Sequence, residues 1–122
     1  MKKKKPYLSI VAPAYNEELV IEETIDQWEG FIRGEKLDAE IVICNDGSSD
    51  RTGEILNQLR KKYQNLIVCE NKPNRGYGYA LHKTINHSQG KLIMALDSDG
   101  QFNVKGYKKL YRQLIRGNYD FV

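Results

Sequence analysis

An α/β fold with a mainly parallel sheet is predicted by two features of the sequence. Four short apolar runs, Leu8 to Ala12, Ile41 to Cys44, Leu66 to Cys69 and Leu92 to Leu96, are nearly continuous rather than alternating, as in strands covered on both faces. Between them the apolar residues recur at helical spacing. The resulting order βαβαβαβα implies right-handed crossovers and a three-layer helix-sheet-helix sandwich.

Each element follows in turn. The first strand is succeeded by a helix marked by Ile21, Ile25, Trp28 and Ile32. After the second strand, Asp50 and a neighbouring serine supply cap chemistry for a helix marked by Ile55, Leu59 and Tyr63. The third strand leads to a helix with Tyr77, Leu81 and Ile85 on its apolar stripe, and the fourth to one with Val104, Tyr107, Tyr111 and Leu114. Trp28 and the tyrosines at helical spacing are assigned to the core. Gly117 and Asn118 stop the last helix, and Tyr119 to Val122 begin a fifth strand, so the C-terminus reads as a cut in a longer chain. Residues 1–6 are expected to form a basic tail and 7–122 a single domain, with no repeat or linker.

At 122 residues, 40% hydrophobic and 29% charged, the chain suits one compact domain, which excludes a disordered tail or a multidomain enzyme. The net charge of +3 is an end effect: apart from Lys2 to Lys5, fifteen Lys and Arg face sixteen Asp and Glu. That balance gives no body-wide basic surface, and no nucleic-acid partner is expected. The lysine run reads as a solvated tail. Tyr7 to Val11, broken by Ser9, is too short for a signal-peptide core, and no run approaches the ~18 apolar residues of a membrane span. Cys44 and Cys69 sit inside apolar runs rather than at metal-ligand spacing and read as core residues in a reducing compartment. A cytoplasmic chain is expected, with a longer parent that associates with a membrane on its cytoplasmic face.

The polar residues concentrate after the strands, where open α/β sheets bind ligands. The four clusters are Pro13-Ala14-Tyr15-Asn16-Glu17, Asn45-Asp46-Gly47-Ser48-Ser49-Asp50, Asn71 to Gly78, and Asp97-Ser98-Asp99-Gly100-Gln101. Asp97 and Asp99, two apart at a strand end, point the same way and offer a hard-cation site, with the Gln101 amide oxygen as a third ligand. Asp, Ser and Gly are equally good turn formers, so a plain surface turn stays open at this point. Asp46 is either a turn residue or a rim carboxylate for a base N–H or a ribose hydroxyl. Asn74-Arg75-Gly76-Tyr77-Gly78 opens the third helix, where free N–H groups and Arg75 favour a phosphate, or where the glycines simply relieve the backbone. It is no dinucleotide fingerprint, because the third glycine position is Leu81 and the motif follows the third strand. His82 and His87, five apart, share no helix face for a metal.

Together, Val11-Ala12-Pro13-Ala14-Tyr15-Asn16-Glu17-Glu18, Asn45 to Asp50, Asn74-Arg75-Gly76 and Asp97-Ser98-Asp99-Gly100-Gln101 closely resemble the family 2 glycosyltransferases of GT-A fold. Asp-x-Asp-Gly-Gln is most similar to the branch of dolichol-phosphate mannosyltransferases and bacterial polyprenyl-phosphate glucosyltransferases. The resemblance covers residues 7 to 122 and implies a Rossmann-like nucleotide-diphospho-sugar transferase fold, here truncated. It implies that Pro13, Tyr15 and Glu17 line a nucleoside pocket, that Asp46 hydrogen-bonds the base and that Arg75 stands near base or phosphates. Asp97 would meet the ribose or the metal, and Asp99 with Gln101 would bind Mg²⁺ or Mn²⁺ bridging the diphosphate.

The donor implied is a UDP- or GDP-linked sugar, and the acceptor a polyprenyl phosphate or a growing glycan. Inverting transfer would use an acidic base downstream, so no catalytic residue is assigned within these residues. Two other classes are weighed. Asp97-x-Asp99-Gly100 also resembles the nucleophile and acid of haloacid dehalogenase phosphatases, but that family carries the pair on its first strand. A non-catalytic nucleotide-binding module is the other. The unfinished last strand leaves an exposed sheet edge and an expectation of self-association.

Overall fold

The computed structural model describes residues 5–98, 106, 108, 109 and 111–113. Within them the chain runs β1 (Leu8–Ala14), α1 (Ile21–Gly34), β2 (Ala39–Asp46), α2 (Thr52–Lys62), β3 (Leu66–Asn71), α3 (Tyr77–His87) and β4 (Leu92–Ala95). The strands form one parallel sheet in the order β3-β2-β1-β4. The predicted alternation is therefore present. Residues 106, 108, 109 and 111–113 are helical where the sequence places a fourth helix, and Tyr111 packs against the core. Val104, Tyr107, Leu114, Gly117, Asn118 and Tyr119 to Val122 lie outside the described residues, as do Asp99, Gly100 and Gln101.

Strand alternation divides the core between two faces. Leu8, Ile10, Ala12, Ala14, Ile41, Ile43 and Met94 meet Ile21, Ile25, Trp28 and Ile32 of α1 and Leu56 and Leu59 of α2. Burying a side chain such as Ile25 contributes about 2 kcal/mol. On the other face Cys44 and Cys69 pack under Ala80 of α3. With α1 and α2 on one side and α3 on the other, the layers are those predicted.

Two expectations need correction. The central strands β1 and β2 are buried almost throughout, but β3 is not: Ile67 on its α3 face and Glu70 on the opposite face are exposed. It is an edge strand, and a single helix only partly covers its α3 face. The tightest contact of α3 is made by Ala80 and Thr84, small residues that let the helix approach closely, while Tyr77 is 57% exposed rather than core. Among the described residues no helix is long and apolar enough to cross a membrane.

The loops after β1 and β2 are laced together. Asn16 Oδ1 accepts the Ser49 N–H at 2.9 Å, and the Asn16 N–H donates to Ser48 Oγ at 3.0 Å. The Glu17 N–H donates to Thr52 Oγ1, and the N–H of Arg51 to Glu18 Oε2. Asp50 closes the lattice, taking the Thr52 N–H at 2.9 Å, the Thr52 hydroxyl at 2.6 Å and the Glu18 N–H at 3.2 Å. The N-cap of α2 is Arg51, with no side-chain cap hydrogen bond, so the cap expected at Asp50 or a serine is not formed as such: Asp50 instead ties the first residue of α2 to the first loop, and Ser49 serves Asn16. At the opposite end of the sheet, Ser9 Oγ donates to Glu40 Oε2 and accepts the Gly90 N–H. A Cβ on Gly90 would lie 2.6 Å from Ser9 N, so only glycine permits this approach.

Burial alone would raise the Asp50 carboxyl, but the Thr52 hydroxyl with the N–H groups of Thr52 and Glu18 outweighs it and holds the group below its ordinary value. A depressed native value means stabilisation that is complete above the unfolded-state value and is lost as pH falls through the native one. Asp50→Asn is therefore expected to remove part of the acid sensitivity below about pH 4, a window set by the ordinary carboxylate value. Urea titrations at a series of pH values measure it; parallel acid limbs for parent and variant would exclude Asp50 as a contributor.

Candidate functional site

The strand order reverses at β1: β2 and β3 lie to one side of it and β4 to the other. At such a switch point the loops leaving neighbouring strands diverge and open a crevice at the carboxyl ends. A cavity of about 320 Å³ is found there, lined by Pro13, Ala14, Tyr15 and Glu17 after β1, Asp46 after β2, Asn74, Gly76 and Tyr77 before and in α3, and Asp97 and Ser98 after β4. Its volume is at the lower end of small-molecule sites. The Ser98 hydroxyl donates to Pro13 O at 2.9 Å, fixing the β4 end against the β1 end.

Asp46 is the best-connected group of the site. Its buried carboxylate accepts the Asn71 amide at 2.9 Å and the Arg75 N–H at 2.8 Å on Oδ1, and the Asn74 amide at 3.0 Å and the Gly76 N–H at 2.9 Å on Oδ2. A carboxylate offers about four lone-pair positions, so all are taken. The Asn74 amide also reaches Asp46 O at 2.9 Å. Lys83 donates to Glu70 O and to Asn71 Oδ1, which turns the Asn71 Nδ2 toward Asp46. Gly47, at φ +70°, allows the second and third loops to touch, since a Cβ there would sit 2.4 Å from Asn74 N.

This geometry bears on two expectations. The anion bound by the N–H groups that open α3 is the protein's own Asp46 carboxylate. Arg75 is not among the cavity-lining residues: its guanidinium lies 4.5 Å from the centre of the Tyr79 ring, a cation–π contact. Of the remaining predicted residues, Pro13, Tyr15, Glu17, Asp46 and Asp97 all line the one cavity, while Asp99 and Gln101 lie outside the described residues. Among the described residues, no group of three His, Cys, Asp or Glu side chains is disposed to hold a metal ion.

Ala14, Asn74, Gly76, Tyr77 and Ser98 also line the cavity but were not assigned from sequence. Asn74 and Gly76 belong to the third-loop motif and so carried a signal. Tyr77 was hidden by its helical spacing. Its hydroxyl donates to Asp97 Oδ1 at 3.2 Å, and burial together with the Asp97 charge raises the phenol above its ordinary value.

Comparison with known proteins agrees with this arrangement. Residues 9–122 match the model of Glycosyl transferase family 2. The chain is 34% identical over 113 residues to dolichyl-phosphate beta-glucosyltransferase ALG5A of Trichomonas vaginalis, covering 88% of this chain and 35% of that protein. It is 32% identical over 111 residues to dolichyl-phosphate beta-glucosyltransferase of Dictyostelium discoideum, covering 85% and 34%. The chain thus spans about a third of the length of these curated relatives. Among solved structures, S. aureus TarS 1-349 in complex with UDP-GlcNAc superposes with a TM-score of 0.72 at 26% identity, over 90% of this chain and 31% of that one. The mannosyltransferase PcManGT from Pyrobaculum calidifontis, in complex with GDP-Man and Mn²⁺, shares the fold at a TM-score of 0.69 and 24% identity, over 79% and 28%. The parallel sheet with its flanking helices is the GT-A architecture, and the chain belongs to glycosyl transferase family 2.

Proposed function

We propose that this chain forms the sugar-nucleotide-binding part of a glycosyltransferase that moves a hexose from a UDP- or GDP-linked donor onto an acceptor of the polyprenyl-phosphate or glycan class. The observation that carries the reading is the cavity at the strand-order reversal, walled by all four carboxyl-end loops. The family match, the UDP-GlcNAc complex of TarS and the dolichyl-phosphate relatives support the donor and acceptor classes.

The chain's own residues bind and orient the donor. Pro13, Tyr15, Glu17 and Tyr77 form the nucleoside walls. A base N–H reaches Asp46 Oδ2 by replacing the Asn74 amide, which keeps Asp46 O as its second acceptor. Asp97, exposed at the rim with the Tyr77 hydroxyl on Oδ1, serves a ribose hydroxyl or a cation. Carboxylate oxygen is the donor type that Mg²⁺ and Mn²⁺ prefer, and Asp97 with Asp99 and Gln101 would hold such an ion. A bound cation would supply Lewis-acid neutralisation of the charge that grows on the leaving diphosphate. Transfer with inversion needs an acceptor held in line and a base within reach of its hydroxyl, roles that fall outside these four loops.

Titration calorimetry with UDP and GDP, with Mn²⁺ or with EDTA, tests the proposal. Binding of at least one nucleotide is expected, strengthened by the metal; no heat with either, in both conditions, would contradict it. Asp46→Ala is expected to weaken that nucleotide at least tenfold, about 1.4 kcal/mol, with and without metal. Asp99→Asn is expected to abolish most of the metal enhancement and to leave metal-free binding unchanged. Unaltered, metal-sensitive binding in Asp99→Asn would remove that residue from the site. Nucleotide binding without sugar transfer by a longer chain that carries the acceptor half would favour a binding module.

A further inference from the structure

The chain contains two cysteines, and the fold sets them side by side. Cys44 of β2 and Cys69 of β3 are register partners in the parallel pair, both are free thiols, and both are buried beneath Ala80. Neighbouring strands lie ~4.8 Å apart, within the Cα separation a disulfide spans. Register partners in parallel strands also direct their side chains to the same face. Two residues further along the same strands, Asp46 and Asn71 are partners as well, joined by the 2.9 Å hydrogen bond that anchors the site. The thiol pair therefore sits one pleat repeat below the Asp46 carboxylate.

We propose that Cys44 and Cys69 are a modification site, a dithiol that small peroxides oxidise to an intramolecular disulfide directly beneath the Asp46–Asn71 hydrogen bond. Cys69, on the edge strand, is 8% exposed and Cys44 fully enclosed, so peroxide approaches the pair from the Cys69 side. The Cys69 thiolate attacks one peroxide oxygen, the O–O bond breaks, and the departing hydroxide leaves as water after taking a proton. The sulfenic acid so formed on Cys69 is attacked at sulfur by Cys44. The S–S bond forms, the S–O bond breaks, and the Cys44 proton leaves with the hydroxide as a second water. Two thiols lose two electrons in all, and one peroxide becomes two waters. The neighbouring Cys44 thiol, aided by His87 and Lys83 and opposed by burial, draws the Cys69 thiol below its ordinary value, which favours the attacking thiolate. The same contact and burial push Cys44 up, the role of the resolving thiol. Thiol–disulfide exchange with a dithiol reverses the step.

The test is exposure of the reduced, folded chain to hydrogen peroxide, then unfolding, alkylation and intact-mass measurement. The expected product is a monomer lighter by roughly 2 Da with neither sulfur alkylated, restored by dithiothreitol. Closure is expected to be at least about tenfold faster in the folded chain than in urea, because the fold holds the two sulfurs together. In Cys44→Ala, oxidation of Cys69 should instead add oxygen mass without the loss. Two thiols still alkylatable after peroxide, oxygen added separately to each cysteine of the parent, a disulfide-linked dimer, or equal rates in folded and unfolded chain would each overturn the proposal.

Discussion

A buried carboxylate is costly unless donors replace its water, and Asp46 is supplied with four. Two are side-chain amides and two are backbone N–H groups at the opening of α3, where the helix dipole also favours negative charge. Removing the carboxylate would leave the Asn71 amide and the Arg75 and Gly76 N–H groups without this partner. That asymmetry, in which a satisfied network is worth little net but a broken one is expensive, makes Asp46 the point on which the third loop depends.

The rest of the site follows from that knot and from topology. Gly47 lets the Asp46 backbone meet Asn74 closely enough for the amide to bond both the carbonyl and the carboxylate. Lys83 orients Asn71 from outside. Once α3 is docked by its first residues, Tyr77 is delivered across the crevice to Asp97 on the far side of the strand-order reversal. The first loop is held independently, through Asn16, Glu18, Asp50 and Thr52. The described residues of the rim are thus tied together around the cavity, which is what orienting a flexible nucleotide requires.

The sequence made the layers legible because β1 and β2 are covered on both faces and so carry unbroken apolar runs. It made the rim legible because residues with turn and carboxylate chemistry stand at every strand end. What it did not reveal depends on contacts between distant segments. The donors to Asp46 come from 25 to 30 residues away, so nothing in the Asn45 to Asp50 motif announces that its carboxylate is already satisfied. Arg75 reads as a phosphate ligand from its motif, yet the Tyr79 ring four residues on competes for it. Tyr77 falls on a helical stripe, but Ala80 and Thr84 bring α3 to the sheet and leave the phenol at the cavity. Cys44 and Cys69 look like unrelated core residues until strand register pairs them.

The Asp46 carboxylate, and not the loop's own turn chemistry, holds the opening of α3. Amide hydrogen exchange of Arg75 and Gly76, read by NMR in the parent chain and in Asp46→Asn, tests it most directly. Asparagine is close in shape but uncharged, and its Nδ2 is a donor where the network needs an acceptor. Strong protection of both amides is expected in the parent and loss of most of it in the variant, with amides in the middle of β1 still protected. Equal protection of Arg75 and Gly76 in the two proteins would contradict it.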